Sequence, residues 1–461
     1  MNPTLFPDQE ILIDQVSPML KRHGSVIACA ATGYGKSVVF IEISLRAISR
    51  GRTVLILTES KKIFEQIKQR TPAILIDPKA RKQFLPAGSL FIAMAQTLNN
   101  RKEFIEKFKT LGNELLIIVD ECHIGTFNKL LPQFKQALVI GFSATPDARW
   151  AKHLPLFYKN IVVGPQPHEL VLNGRLCPYK HFARVGANID LLKIHKGEFT
   201  EESQEAVFGS AKVFEGLVED LTNLEYKKCL VFTASIKDCE TVKNQLMLAG
   251  FNCVSVHSKM SDIEYAYNIG QFTKGDCNIC ISVGTLTKGF DFPEIDLIVL
   301  RRKTTSLPLF LQMIGRGSRV LPGDKHLPYE LKKKKFFTVL DYGANYMSHG
   351  MWDMERDWKD LWNRPKKARD GVAPIKLCPQ CEFITSASAT TCPNCGYEYV
   401  KKDIPMEVGK LIEITEMYSK MVGKSMSQLT PEELSIYARL KSKKNFAARI
   451  GPARERDKPR S

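Results

Sequence analysis

Short apolar runs of strand length recur along most of the chain, separated by charged, amphipathic stretches long enough to be helices. In the first part the runs are SVIACA (25–30), TVLILT (53–58), SLFIAMA (89–95), LLIIVD (115–120) and ALVIGFSA (137–144). A passage punctuated by Pro and Gly, VVGPQPHELVLNGRLCPY (162–179), interrupts the rhythm. It resumes with KCLVFTA (228–234), NCVSVHS (252–258), NICISVG (278–284), DLIVLR (296–301) and FFTVLD (336–341). Runs greasy enough to be buried on both faces, alternating with helices, are the mark of parallel α/β units. The pattern therefore predicts two doubly wound parallel-sheet domains, over 1–166 and 167–350.

From 351 the pattern changes. MWDMERDWKDLW sets Trp352, Trp358 and Trp362 near helical spacing, and this linker (351–375) reads as packing rather than as a platform for stacked bases. The next segment, 376–400, carries Cys378, Cys381, Cys392 and Cys395 as C-x2-C, ten residues, C-x2-C. Two such knuckles bring four thiolates onto one tetrahedral Zn²⁺, and with no open position the ion is structural. The remainder, 401–461, holds a helical segment, with Thr430, Pro431 and Glu433 as its capping box, and a basic tail with too few apolar residues to fold.

Charge narrows the class. The 461 residues include 66 Lys and Arg against 49 Asp and Glu, a net charge of +17, which favours a polyanionic partner. The KKKK at 332–335 reads as a solvated loop. No apolar stretch reaches the roughly 18 residues that span a bilayer, so no membrane partner is expected. The other eight cysteines sit in apolar or strand-like segments, where free thiols act as small hydrophobes, and a reducing, cytoplasmic setting is expected.

Candidate chemistry begins at CAATGYGKSVVF, after the first run and at the start of a helical stretch. Thr32, Gly33 and Gly35 allow a tight turn whose N–H groups face phosphate oxygens. Lys36 would reach the β- and γ-phosphates of ATP, and the Ser37 hydroxyl would ligate Mg²⁺. A second feature is ELLIIVDECHIG, an apolar run ending in two adjacent carboxylates. Ligands of a parallel sheet bind beyond the carboxyl ends of its strands, where Asp120 could hold the Mg²⁺ and Glu121 could deprotonate an attacking water. In LFLQMIGRGSRVL, Arg316 and Arg319 stand three apart, on one face of a helix, with Gln312 one turn earlier.

Taken in order, these segments resemble the DExH-type helicases of superfamily 2 over nearly all of residues 5–320. The resemblance implies two RecA-like domains. It also implies an adenine-reading Gln9, a phosphate loop AATGYGKS, and DECH with Asp120, Glu121 and His123. Further segments are SAT, whose Ser143 and Thr145 link hydrolysis to interdomain movement, GTLTKGFDFP with Thr285, Gly289 and Asp291, and Gln312 to Arg319. Thr58, Ser60, Gln96, Thr97, Thr233 and Thr285 would touch a nucleic-acid backbone. Such contacts position a strand without reading its sequence. LDYGANYMSHG followed by four cysteines is similar to the RadD-like branch of recombination helicases. An ATP-dependent DNA helicase on forked or branched DNA is the expectation, with recombination or replication proteins as further partners. An RNA helicase, the motor of a restriction complex and a non-catalytic scaffold stay open.

Overall fold

In the computed structural model the described residues are 5–77, 86–184, 191–284, 286, 290–325, 327–363, 375–377, 380, 384–386, 391, 394–398 and 411–415. All five apolar runs of the first part are strands: β1 (Ser25–Cys29), β2 (Thr53–Thr58), β4 (Leu90–Met94), β5 (Leu115–Val119) and β6 (Leu138–Ser143). Two three-residue strands, β3 (Ile74–Ile76) and β7 (Ile161–Val163), complete a sheet in the order β3-β4-β2-β5-β6-β1-β7. Every pairing is parallel. Helix α1 (Pro7–His23) precedes β1, and helix α2 (Lys36–Ile48) follows it.

The second lobe is built alike. β8 (Tyr179–Arg184), the small hairpin β9 (Ile194–His195) with β10 (Glu198–Phe199), β11 (Cys229–Thr233), β12 (Cys253–Val256), β13 (Ile279–Ser282), β14 (Leu297–Arg301) and β15 (Phe337–Asp341) follow in sequence. A second hairpin, β16 (Ile375–Leu377) with β17 (Ile384–Ser386), flanks the first C-x2-C. The second sheet runs β12-β13-β11-β14-β15-β8-β18, where β18 (Leu411–Glu413) adds antiparallel to β8. Of 401–461, expected to be helical and basic, the principal described element is thus an edge strand, and Thr430, Pro431 and Glu433 lie outside the described residues. Cys378, Cys381 and Cys392 do too, while Cys395 is exposed.

Burial of the central strands is complete: every residue of β1, β2, β5, β11, β14 and β15 is buried. Each large aliphatic side chain there stabilises the fold by about 1.5–3 kcal/mol relative to exposure. The Trp-bearing segment packs as expected, on both lobes. Trp352 lies edge-on to Tyr179 and Phe337 of the second lobe, with ring centroids at 5.6 and 6.0 Å. Further along, Leu361 O accepts from Ala148 N of the first lobe at 3.0 Å. The buried Arg356 guanidinium donates to the carbonyls of His349, Met351, Trp352 and Met354, which holds the connecting turn rigid.

One expectation is corrected. KKKK is not a solvated loop, because an extended chain turns alternate side chains to opposite sides. Lys332 and Lys334 are buried and Lys333 is exposed. Lys332 Nζ donates to Gly174 O at 2.6 Å, and Lys334 Nζ lies within hydrogen-bond distance of four carbonyls.

Candidate nucleotide site between the lobes

Gly33 and Gly35 have φ of 90° and 93°, left-handed values that a Cβ disfavours. Space forbids a side chain as well: a Cβ on Gly33 would lie 2.7 Å from Leu176 Cδ2, and one on Gly35 2.9 Å from Gln9 Nε2. Gly35 is the N-cap of α2 and offers no side-chain bond, so the Lys36 and Ser37 N–H groups at the start of the helix have no side-chain cap, while Val38 N donates to Gly35 O at 2.9 Å. Lys36 Nζ sits 3.4 Å from Ala30 O and 3.6 Å from Glu121 Oε1. Thr32 and Ser37 are half-buried on the same loop and turn.

The two carboxylates end β5 and have opposite electrostatics. Asp120 is buried and accepts from Thr58 Oγ1 at 3.1 Å. Burial, then the neighbouring Glu121 charge, pushes its carboxyl up to about 7. For Glu121 burial also pulls upward, yet Lys36, His123 and Arg316 together outweigh it and hold the carboxyl below its ordinary value. The chain turns between them: Glu121 has φ 49°, a left-handed conformation that costs a non-glycine residue about 1 kcal/mol or more. An acid driven up for want of a counter-charge, beside a loop with uncapped N–H groups, suits a divalent cation bridging to phosphate. Asp120 and Ser37 are the residues present to hold Mg²⁺.

His123 joins the lobes. Its Nδ1 is 2.9 Å from Ser143 Oγ and 3.3 Å from Glu121 Oε2, and its Nε2 is 3.4 Å from Gln312 Nε2 in the second lobe. Gln312 Nε2 can only donate, so in the neutral ring His123 Nε2 accepts and the proton is assigned to Nδ1. Ser143 Oγ in turn accepts from Thr145 N at 3.0 Å.

The helix Leu307–Ile314 stops short of the arginines, which are therefore not on one helical face as expected: Arg316 lies in the turn that follows the C-cap Gly315, and Arg319 in the bridge to Leu176. A Cβ on Gly315 would lie 3.2 Å from Thr32 Cγ2, so this segment rests on the phosphate loop. Arg316 is buried and donates to Phe290 O. Burial, then the adjacent Arg319, lowers it to about 9, while Glu121 and Asp291 favour its charge. Arg319 Nε lies 2.8 Å from Asp291 Oδ1 and its Nη1 donates to Gly315 O at 2.8 Å. Asp291, expected on the nucleotide, is therefore the anchor of an arginine.

The remaining expected residues divide. Gln9 is buried beside the loop with its carboxamide engaged: it accepts from Phe6 N at 3.0 Å and donates to Tyr34 O at 2.9 Å. Two nucleic-acid candidates are corrected. Thr58 and Thr233 are fully buried at the ends of β2 and β11, out of reach of any strand. Thr58 accepts from Ser60 N and serves Asp120, and Thr233 Oγ1 donates to Ser235 O. Ser60 accepts from Ile63 N as the N-cap of the helix Lys61–Arg70. Gln96 is exposed and Thr97 half-buried on the short helix after β4, so both stay accessible. Thr285 and Gly289 lie outside the described residues. Sequence reading missed Arg175, Tyr34 and Lys334. Tyr34 stands at a variable place of the phosphate loop and Lys334 in the KKKK run, and in all three cases the partners are distant in sequence.

Comparison with known proteins agrees with this arrangement. Residues 2–148 match the family "Type III restriction enzyme, res subunit", and residues 212–320 match "Helicase conserved C-terminal domain". A "51.5 kDa protein" of Lactococcus phage (isolate 7-9) is 26% identical over 372 residues, covering 80% of this chain and 76% of its own. A Saccharomyces cerevisiae protein assigned as the ATP-dependent helicase IRC3 is 26% identical over 357 residues, 70% of this chain and 50% of its own. Among solved structures, a fragment assigned to the HsdR subunit of a type I restriction enzyme from Vibrio vulnificus YJ016 has the same fold. Its TM-score is 0.59 at 20% identity, over 79% of this chain and 68% of that one. With both domains matched in order, on paired parallel sheets that face a lysine loop and two arginines into one cleft, the chain belongs to superfamily 2 of the helicases, a family of nucleic-acid-dependent ATPases.

Proposed function

We propose that the protein is an ATP-dependent DNA helicase or translocase that acts on forked or branched DNA. The observation that carries the motor reading is the contact of His123 with Glu121 and Ser143 on one side and Gln312 on the other. Lys36 and the first-turn N–H groups of α2 bind the phosphates. Ser37 and Asp120 would hold Mg²⁺, which would neutralise phosphate charge. Glu121 is anionic at neutral pH, and its Oε2 makes no hydrogen bond among the described residues, so a lone pair is available. Water oxygen attacks the γ-phosphorus, its proton passes to Glu121, and the β–γ bridging oxygen leaves with ADP. Arg316 and Arg319 stabilise the charge on the transferring group, an effect on the order of 10³-fold in such enzymes. Residues of both lobes touch one nucleotide, so its hydrolysis releases one lobe from the other.

The net charge of +17 supports a polyanionic track. Glu121→Gln should bind ATP normally while turnover falls by about 100-fold or more. Retained turnover would exclude Glu121 as the base. Stimulation of the ATPase by single-stranded, duplex and forked DNA and by RNA then separates the substrates. Strongest stimulation by a fork supports the proposal, and strongest stimulation by RNA favours an RNA helicase instead. We read Cys378, Cys381, Cys392 and Cys395 as a structural zinc site on their spacing alone. Elemental analysis of the purified chain should find about one Zn²⁺ per molecule, and none would refute the site.

A further inference from the structure

Three consecutive residues between the helix Pro167–Leu172 and β8 touch three different parts of the candidate site. Arg175 reaches onto the first lobe. Its Nη1 donates to both Asp8 oxygens, at 2.5 Å for Oδ2, and its Nη2 donates to Tyr34 O at 2.7 Å. The guanidinium also lies 4.0 Å from the centroid of the Phe6 ring and 5.0 Å from that of Tyr34. Tyr34 O is the carbonyl that takes the Gln9 amide, and the Tyr34 hydroxyl donates to Asp8 O at 2.9 Å. Leu176 covers Gly33 of the phosphate loop and forms an antiparallel bridge with Arg319. Cys177 N donates to Ser318 O at 2.8 Å, inside the arginine-bearing segment.

The corner of Phe6, Asp8, Gln9 and Tyr34 is where the base of a nucleotide would lie, given the ATP site proposed above, on which this inference rests. We infer that Arg175 is a specificity-determining positioning residue: it ties that corner to the segment of Arg316 and Arg319, so that arginine placement depends on the base. The tie is short, because three consecutive residues carry both the Asp8 pair and the Ser318 bond, and it is stiffened where the Arg175 and Leu176 N–H groups both donate to Leu170 O, at 2.8 and 3.0 Å. A base that disturbs the corner would still bind through its phosphates. It would meet misplaced arginines, and discrimination would fall on the chemical step rather than on binding.

The test is steady-state hydrolysis of ATP and GTP by the full chain with saturating single-stranded DNA, for wild type, Arg175→Ala and Arg175→Lys. Arg175→Ala should lower kcat for ATP by about tenfold or more with KM changed less than about threefold, and the ATP-to-GTP ratio of kcat should collapse. Arg175→Lys keeps the charge on Asp8 and loses the fork to Tyr34 O, and should fall between. Where Arg175→Ala does not fold, Asp8→Asn breaks the same pair from the other side and should give the same signature. A rise in KM alone, or unchanged kcat and selectivity in a folded variant, overturns the inference. Wild type lacking ATP turnover that Glu121→Gln abolishes would instead overturn the proposed function, so the two failures are distinguishable.

Discussion

Asp120 and Glu121 are adjacent in sequence and opposite in charge behaviour, which is the arrangement a metal ligand beside a general base requires. The pH consequence follows from sign. Asp120 is raised above the ordinary carboxylate value to about 7, so the folded state holds its proton more tightly than the unfolded chain. In the absence of metal this group therefore lowers stability as pH climbs from the ordinary carboxylate value to about 7, and the loss stays constant above. Mg²⁺ with ADP neutralises the same charge. The gain in melting temperature on adding Mg²⁺-ADP should thus be larger at pH 8 than at pH 6, read by thermal denaturation at constant ionic strength. An equal gain at both would contradict the assignment of Asp120 to the metal. Lys36, Asp120 and Glu121 were legible because each stands within a few residues of the turn or strand that positions it. Arg175 was not, since its partners Tyr34 and Asp8 lie 141 and 167 positions away.

Elements were legible wherever apolar runs were long. The ten runs became ten strands, whereas β3 and β7 have three residues each and β8, reading YKHFAR, mixes Lys, His and Arg into its sequence. His181 of β8 is fully buried 3.6 Å from Asp341 of β15, with neither ring nitrogen hydrogen-bonded among the described residues. Lys334 is a buried polar group that partners do compensate, at a segment that sequence alone assigned to solvent. Its three N–H donors are shared among four carbonyls, Pro293 O (2.9 Å), Ile295 O (2.6 Å), Gly317 O (2.7 Å) and Arg319 O (2.9 Å), and burial lowers it to about 8. Two of those carbonyls belong to the arginine segment. Lys334→Met removes the three donors that these carbonyls share. It should cost about 1–3 kcal/mol in urea unfolding and slow ATP turnover, the first from lost hydrogen bonding and the second from a loosened Arg319. Unchanged turnover in a destabilised variant would limit Lys334 to stability.

At the scale of the whole molecule, two lobes share a site and are tied at several points around it. Gln166 caps the helix leading out of the first lobe. Its side chain exchanges hydrogen bonds with the Arg356 backbone at 3.0 and 2.9 Å, binding the crossover to the Trp-bearing strap. The strap then packs Trp352 on the second lobe and Leu361 on the first. This bridging was illegible in the sequence, where helical Trp spacing announces burial but names no partner. The coupling is the central claim, and fluorescence energy transfer between dyes at Leu156 and Leu248, exposed positions on the first and second lobes, tests it most directly. With DNA present, ATP should draw the dyes to a closed distance and ADP should release them, and Arg316→Ala should abolish the ATP-dependent closure. ATP hydrolysis at an unvarying separation of the dyes would contradict the account.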